Sequence, residues 1–123
     1  VLVIDDAEDN RSIYAFFLQH EGFEVAVAAD GEAGVDQAQQ GEFDVIVMDL
    51  TMPKMDGWEA TRRLKSDVRT RTIPIIVLTG YPSTAGEREA RAAGSDRYLT
   101  KPCLPETLVE EIRRVLACRT PPS

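Results

Sequence analysis

The sequence predicts a single α/β domain of the doubly wound kind, a parallel sheet covered by helices on both faces. Three observations carry this. Five short apolar runs alternate with five stretches of helical periodicity, the pattern of repeated βαβ units. Three of the runs are nearly continuous and rich in β-branched side chains, as strands buried on both faces require. A chain of 123 residues, 43% hydrophobic and 28% charged, makes one domain that buries a core without staples.

The elements follow in order. Val1-Leu2-Val3-Ile4 forms the first strand. Residues 9–20 form a helix with Ile13, Phe16 and Phe17 at core spacing. Five apolar side chains cannot share one face, so some of Tyr14, Phe17 and Leu18 are expected at the surface. The second strand spans Phe23–Val27. Asp30 caps a helix over 31–40 that carries Ala33, Val35 and Ala38. Val45–Met48 is the third strand, and the helix over 57–66 packs Trp58, Ala60 and Leu64. Ile73–Leu78 is the fourth strand, with Pro74 near its start, where a missing donor is tolerated. The helix over 83–93 has only alanines as apolar side chains and is expected to be weakly anchored. Arg97-Tyr98-Leu99 is the fifth strand. Pro105 opens a last helix over 105–117 with a stripe of Leu108, Ile112, Val115 and Leu116. Gly22, Gly41 and Gly94 each follow a helix, where a left-handed cap favours glycine. The domain is expected over residues 1–118, with 119–123 a tail or the start of a linker. A start inside a strand, without Met, suggests a piece of a longer protein.

The formal net charge of −7 argues against direct nucleic-acid binding and against an anionic membrane surface. No apolar run reaches the roughly 18 residues of a membrane span, and no signal-peptide pattern opens the chain. Cys103, Cys118 and His20 are too few and too scattered for a zinc site; two reduced thiols suit a cytoplasmic location. The charge is uneven. Residues 1–61 hold 14 acids and two bases, whereas residues 62–123 hold seven acids and 12 bases.

In a doubly wound sheet, ligands bind beyond the carboxyl ends of the strands. The first strand ends in Asp5-Asp6, the third in Asp49, the fourth in Thr79-Gly80, and the fifth runs into Thr100-Lys101-Pro102. Three carboxylates, a hydroxyl and an ammonium therefore converge on one edge. Carboxylates this close repel one another, and a hard divalent cation relieves the repulsion. Mg²⁺ favours one or two carboxylates plus phosphate oxygens, so Asp5, Asp6 and Asp49 suit it and leave positions open for a phosphoryl group. A carboxylate can accept a phosphoryl group as an aspartyl-phosphate. Lys101 and the Thr79 hydroxyl would hold its oxygens, and Gly80 leaves room beside it.

The stretches Val1-Leu2-Val3-Ile4-Asp5-Asp6, Met48-Asp49-Leu50-Thr51-Met52-Pro53-Lys54-Met55-Asp56-Gly57, Val77-Leu78-Thr79-Gly80 and Tyr98-Leu99-Thr100-Lys101-Pro102 resemble the receiver domain of two-component response regulators, over residues 1 to about 118. The resemblance implies the strand order 2-1-3-4-5 and a phosphoacceptor at Asp49, charged by a histidine kinase or a histidine phosphotransfer protein. It implies Mg²⁺, or Mn²⁺ in its place, bound by Asp6, Asp49 and the backbone carbonyl of Thr51, with Asp5 acting largely through water. Thr79 and Lys101 would hold the phosphoryl oxygens. Thr51, Gly80 and Tyr81 would flank the phosphoryl group, and the Lys101–Pro102 peptide would be cis. Thr79 and Tyr98 would be the switch residues, changing a surface over residues 83–117 that meets an output domain or forms a dimer. The first helix would dock the donor. Cys103 and Leu104 depart from the commonest pattern, where an aromatic and a capping polar residue are usual.

Three alternatives share part of this pattern. A flavodoxin-like electron carrier would need a hydroxyl- and glycine-rich phosphate loop after the first strand, where Asp5-Asp6-Ala7-Glu8-Asp9 would repel a phosphate. An aspartate-nucleophile phosphatase of the haloacid dehalogenase type would need a second Asp two positions after Asp49, where Thr51 stands. A degenerate receiver used only for docking would not need the complete acidic set.

Overall fold

The computed structural model describes residues 1–49, 57–79, 84–100 and 104–118. In chain order the elements are β1 (Leu2–Ile4), α1 (Glu8–His20), β2 (Ala26–Ala28), α2 (Gly31–Gln40), β3 (Ile46–Asp49), α3 (Gly57–Ser66), β4 (Ile75–Thr79), α4 (Thr84–Ala93), β5 (Arg97–Thr100) and α5 (Pro105–Cys118). The strands form one parallel sheet in the order β2-β1-β3-β4-β5, as expected.

Alternation along the buried strands creates two cores, one on each face. Leu2, Ile4, Ile46, Met48, Ile75 and Val77 point to the face covered by Val35 and Ala38 of α2 and Ala60 and Leu64 of α3. Val1, Val3, Val45, Val47, Ile76 and Leu78 point to the face covered by Tyr14 and Leu18 of α1 and Leu108, Val109, Ile112 and Val115 of α5. The carboxylate of Asp30 accepts the Ala33 N–H at 2.8 Å and caps α2. Among the described side chains of α4 only Ala93 is buried, in keeping with its alanine-only stripe.

Four expectations are corrected. First, α1 buries Tyr14 and Leu18 with Phe17 half-buried, and leaves Ile13 and Phe16 exposed at 55% and 73%. Both sets are legitimate helical stripes; packing against the sheet and α5 selects one. Second, β2 begins at Ala26 rather than Phe23. The Phe23 N–H bonds back to the Leu18 carbonyl and the Gly22 N–H to that of Gln19, the paired bonds of a Schellman cap, with Gly22 at φ +96°. Third, Gly41 ends α2 in an extended conformation, not a left-handed one. Glycine serves there for closeness, since a Cβ would lie 3.0 Å from the Phe43 ring. Fourth, β4 begins after Pro74, because Ile73 closes a turn onto Thr70.

Two side chains brace the sheet. Lys65 Nζ donates to the carbonyls of Ile73 (2.9 Å) and Arg71 (3.3 Å) and reaches Asp96 Oδ2 at 3.2 Å. That same oxygen accepts the Ile75 N–H at 2.8 Å, so α3, the start of β4 and the turn into β5 are tied at one point. On the opposite edge, Gln37 Nε2 donates to the Val27 carbonyl at 2.9 Å.

Two predictions arise from this packing. At Gly34 of α2 a Cβ would meet the Ile4 side chain, 2.7 Å from Cγ1 and closer still to Cδ1. Helix propensity alone would favour alanine by about 1 kcal/mol. Overpacking opposes it, so Gly34→Ala is expected to destabilise by about 1–3 kcal/mol in urea unfolding. Adding Ile4→Val should recover part of the loss. In the α3–β4 loop, hydrogen bonds from the Arg69 side chain and N–H hold the Asp67 carboxyl down at about 2, from an ordinary 3.8. The folded form is thus favoured above pH 3.8, and this contribution disappears as pH falls through 2. The stability difference between wild type and Asp67→Asn should be constant above about pH 5 and shrink between pH 4 and 2, measured by denaturant titration.

Candidate functional site: the acidic edge of the sheet

Parallel strands place all their carboxyl ends on one edge. Ile4 is in register with Met48, so Asp5 and Asp49, the next residues, lie level on neighbouring strands. Asp49 is in register with Leu78, and Thr79 stands one position further along β4, paired with Thr100 of β5. Lys101 follows Thr100 in sequence. Asp5, Asp49 and Thr79 are buried, at 2%, 4% and 4% exposure, while Asp6 is exposed.

Asp5 and Asp6 are adjacent, and adjacent strand residues point to opposite faces. Both reach the same site because the chain leaves the strand at Asp5. The Asp5 N–H still belongs to the sheet, donating to the Ala28 carbonyl at 3.1 Å. Its side chain turns forward, Oδ1 accepting the Ala7 N–H at 2.8 Å. Its carbonyl accepts a bond from Arg11 Nη1, also at 2.8 Å. Ala7 is the N-cap of α1 and supplies no side-chain cap, so the Asp5 carboxylate does that work from two residues back.

One carboxylate oxygen from each of Asp5, Asp6 and Asp49 lies within 4.8 Å of the others. At that separation each ionised pair repels by about 3–4 kcal/mol at an effective dielectric constant of about 20. Positive charge brought among the three carboxylates relieves such repulsion. The donor set is all oxygen, with one exposed member through which an ion can enter. It fits a hard cation such as Mg²⁺, held by few carboxylates and otherwise by water or phosphate oxygens.

Of the residues expected at the site, the structure brings Asp5, Asp6 and Asp49 together and sets Thr79 on the next strand end. Tyr98 lies on β5 in register with Val77, its ring packed against the core beneath α2 and α3. Thr51, Gly80, Tyr81, Lys101 and Pro102, and with them the Lys101–Pro102 peptide, lie outside the described residues. Arg11 was not anticipated. The available signal was its rarity, since it is one of two bases among the first 61 residues and stands in the first turns of the helix after the acidic pair.

A carboxylate trio suited to a divalent cation, at the ligand edge of a 2-1-3-4-5 parallel sheet, defines a doubly wound α/β domain with an acidic site. Residues 1–113 match the response regulator receiver domain. The protein PilH of Pseudomonas aeruginosa is 36% identical over 117 residues, which cover 95% of this chain and 97% of PilH. The chemotaxis protein CheY4 of Vibrio cholerae superposes with a TM-score of 0.89 at 37% identity, covering 93% of this chain and 95% of CheY4. The receiver domain of the sensor histidine kinase PA1611 of Pseudomonas aeruginosa, solved with a magnesium ion coordinated in its active-site cleft, gives 0.87 at 30% identity and covers 94% and 95%. The chain belongs to the response regulator receiver domain family of two-component signalling. The phosphatase reading finds no support among these relatives.

Proposed function

We propose that the domain accepts a phosphoryl group on Asp49 from a phosphohistidine donor, on a histidine kinase or a histidine phosphotransfer protein. The carrying observation is the Asp5–Asp6–Asp49 cluster, three carboxylates within 4.8 Å with two of them buried. An Asp49 oxygen attacks phosphorus as the N–P bond of the donor breaks, and the imidazole nitrogen leaves with the bonding pair and later takes a proton from water. A bound Mg²⁺ or Mn²⁺ would neutralise the charge on the phosphoryl oxygens, with Asp6, Asp49 and the Thr51 carbonyl as ligands and Asp5 acting through water. Thr79 and Lys101 hold the remaining oxygens. Thr51, Gly80 and Tyr81 flank the group and set how readily water hydrolyses it, so the domain catalyses its own charging and slow discharge without being a conventional enzyme. Among the described residues no helix is long and apolar enough to cross a membrane. The proposal takes residues 1–118 as the domain, 119–123 as a tail, and the cytoplasm as its location.

Two surfaces serve this function. Exposed Ile13 and Phe16 on α1, on the helix that begins at the acidic edge, suit the docking of the donor. The face over residues 83–117 suits an output domain or a second copy. Four of its arginines are paired: Arg91 with Glu87 (2.9 Å), Arg97 and Arg114 with Glu111 (3.6 and 3.1 Å), and Arg113 with Glu21 (3.3 Å). It therefore offers mixed charge, and with it selectivity by pattern.

Tyr98 links the site to that face. Its ring is half-buried, but its hydroxyl is sequestered and, among the described residues, has no hydrogen-bond partner. Such a group costs about 1–3 kcal/mol. That penalty brings an outward rotamer, with the hydroxyl in water, close in energy to the inward one. Thr79, drawn toward a phosphoryl group, would tilt this balance.

Incubation with acetyl phosphate and Mg²⁺ should yield one acid-stable, base-labile acyl-phosphate by intact-mass spectrometry. Asp49→Ala should yield none, and an adduct persisting in that variant would refute the assignment. Tyr98→Phe removes the sequestered hydroxyl without removing the ring. It is expected to raise unfolding stability by about 1 kcal/mol in urea titration, whereas a loss of that size would show that the hydroxyl is bonded when buried.

A further inference from the structure

We propose that Arg11 is a positioning residue for the metal site, fixing the turn that points both Asp5 and Asp6 toward one cation. The proposal rests on the reading of the acidic cluster as a cation site. Two consecutive residues serve one ion only if the backbone rotates between them. At Asp5 the strand bond to Ala28 holds one side of that rotation. The Asp5–Ala7 bond and the Arg11–Asp5 bond hold the other. The first is made by a carboxylate that must also face the ion. Arg11 is different, because it grips the carbonyl and leaves the carboxylate oxygens alone. Among the described residues it makes no ion pair with Asp5, Asp6 or Asp49, so it does not take the place of the cation.

Its attachment explains the choice of arginine. Arg11 lies within α1, where its N–H bonds to the Ala7 carbonyl at 3.0 Å, and its side chain runs back six residues to the strand end. The helix and the metal turn are thereby one unit. A guanidinium is rigid and always charged, so the bond to the carbonyl is charge-assisted and persists across the working pH range.

Two effects of opposite sign are expected. The positive charge by itself opposes a cation, but it is partly exposed and screened by salt. Loss of an outer-sphere orienting group weakens metal binding by about 10–100-fold. Positioning therefore outweighs the charge.

The test is Mn²⁺ affinity, from electron paramagnetic resonance of the free ion, and Mg²⁺ affinity, from amide shifts of Asp6 and Ala7. Wild type, Arg11→Ala, Arg11→Lys and Arg11→Gln are compared with Asp67→Asn, a variant in the α3–β4 loop. Arg11→Ala should bind both ions about tenfold more weakly or worse. Arg11→Lys, which keeps a cationic donor, should recover most of the loss, and Asp67→Asn should match wild type. If Arg11→Ala does not fold, Arg11→Gln carries the same expectation. Unchanged affinity in the neutral variants would overturn the proposal. Tighter binding that vanishes at high salt would also overturn it, leaving only a charge effect. Failure of wild type itself to bind either ion would instead overturn the reading of the cluster as a metal site.

Discussion

The repulsion among Asp5, Asp6 and Asp49 is the constraint on which this molecule is organised. Carboxylate oxygens within 4.8 Å of one another, two of the groups nearly inaccessible, are stable only on a platform that cannot relax away from them. The platform is the sheet. Leu2, Ile4, Ile46, Met48, Ile75 and Ile76 are fully buried, so the strands that end in aspartates are clamped by apolar packing on both faces. The unfavourable charge is local and the burial that tolerates it is spread over the domain. The all-oxygen cluster held there suits a hard cation.

Stability is unevenly distributed around that platform. The Lys65–Asp96 brace joins α3, β4 and the turn into β5 at the end of the sheet remote from the acidic edge. Gly94 takes φ +104° in the same corner, where a Cβ would lie 2.7 Å from Lys65 Cγ. Above this fixed corner, α4 buries only Ala93 among its described side chains, and the half-buried Tyr98 holds a hydroxyl with no bond among the described residues. In the proposed switch, a charge added at one strand end would act on this contrast between a well-tied base and the sequestered phenol above it.

Much of this was legible in the sequence, for identifiable reasons. Runs such as Val45–Met48 and Ile75–Leu78 are apolar without alternation, which only a two-sided burial explains, and the topology followed. The acidic cluster was legible because strand-end aspartates are conspicuous against such runs. The face of α1 was not. Ile13, Phe16 and Phe17 form one helical stripe and Tyr14, Phe17 and Leu18 another, and the choice depends on how the helix is rotated against β1 and α5. Arg11 was not legible either, because it bonds to a backbone carbonyl, and such bonds leave no complementary residue to find. Gly41 shows the same limit, since an extended backbone close to Phe43 and a left-handed cap both call for glycine.

The short bond from Gln37 to the Val27 carbonyl has a consequence of another kind. In β2 the backbone groups of Ala26 and Ala28 turn toward β1, which leaves those of Val27 facing the open border of the sheet. An uncovered border of this kind invites a strand from a second molecule, and the half-exposed Val27 side chain would add to the attraction. Gln37 occupies the acceptor such an intruder would need. One amide on α2 thus blunts this border by taking a carbonyl that an added strand would otherwise pair with.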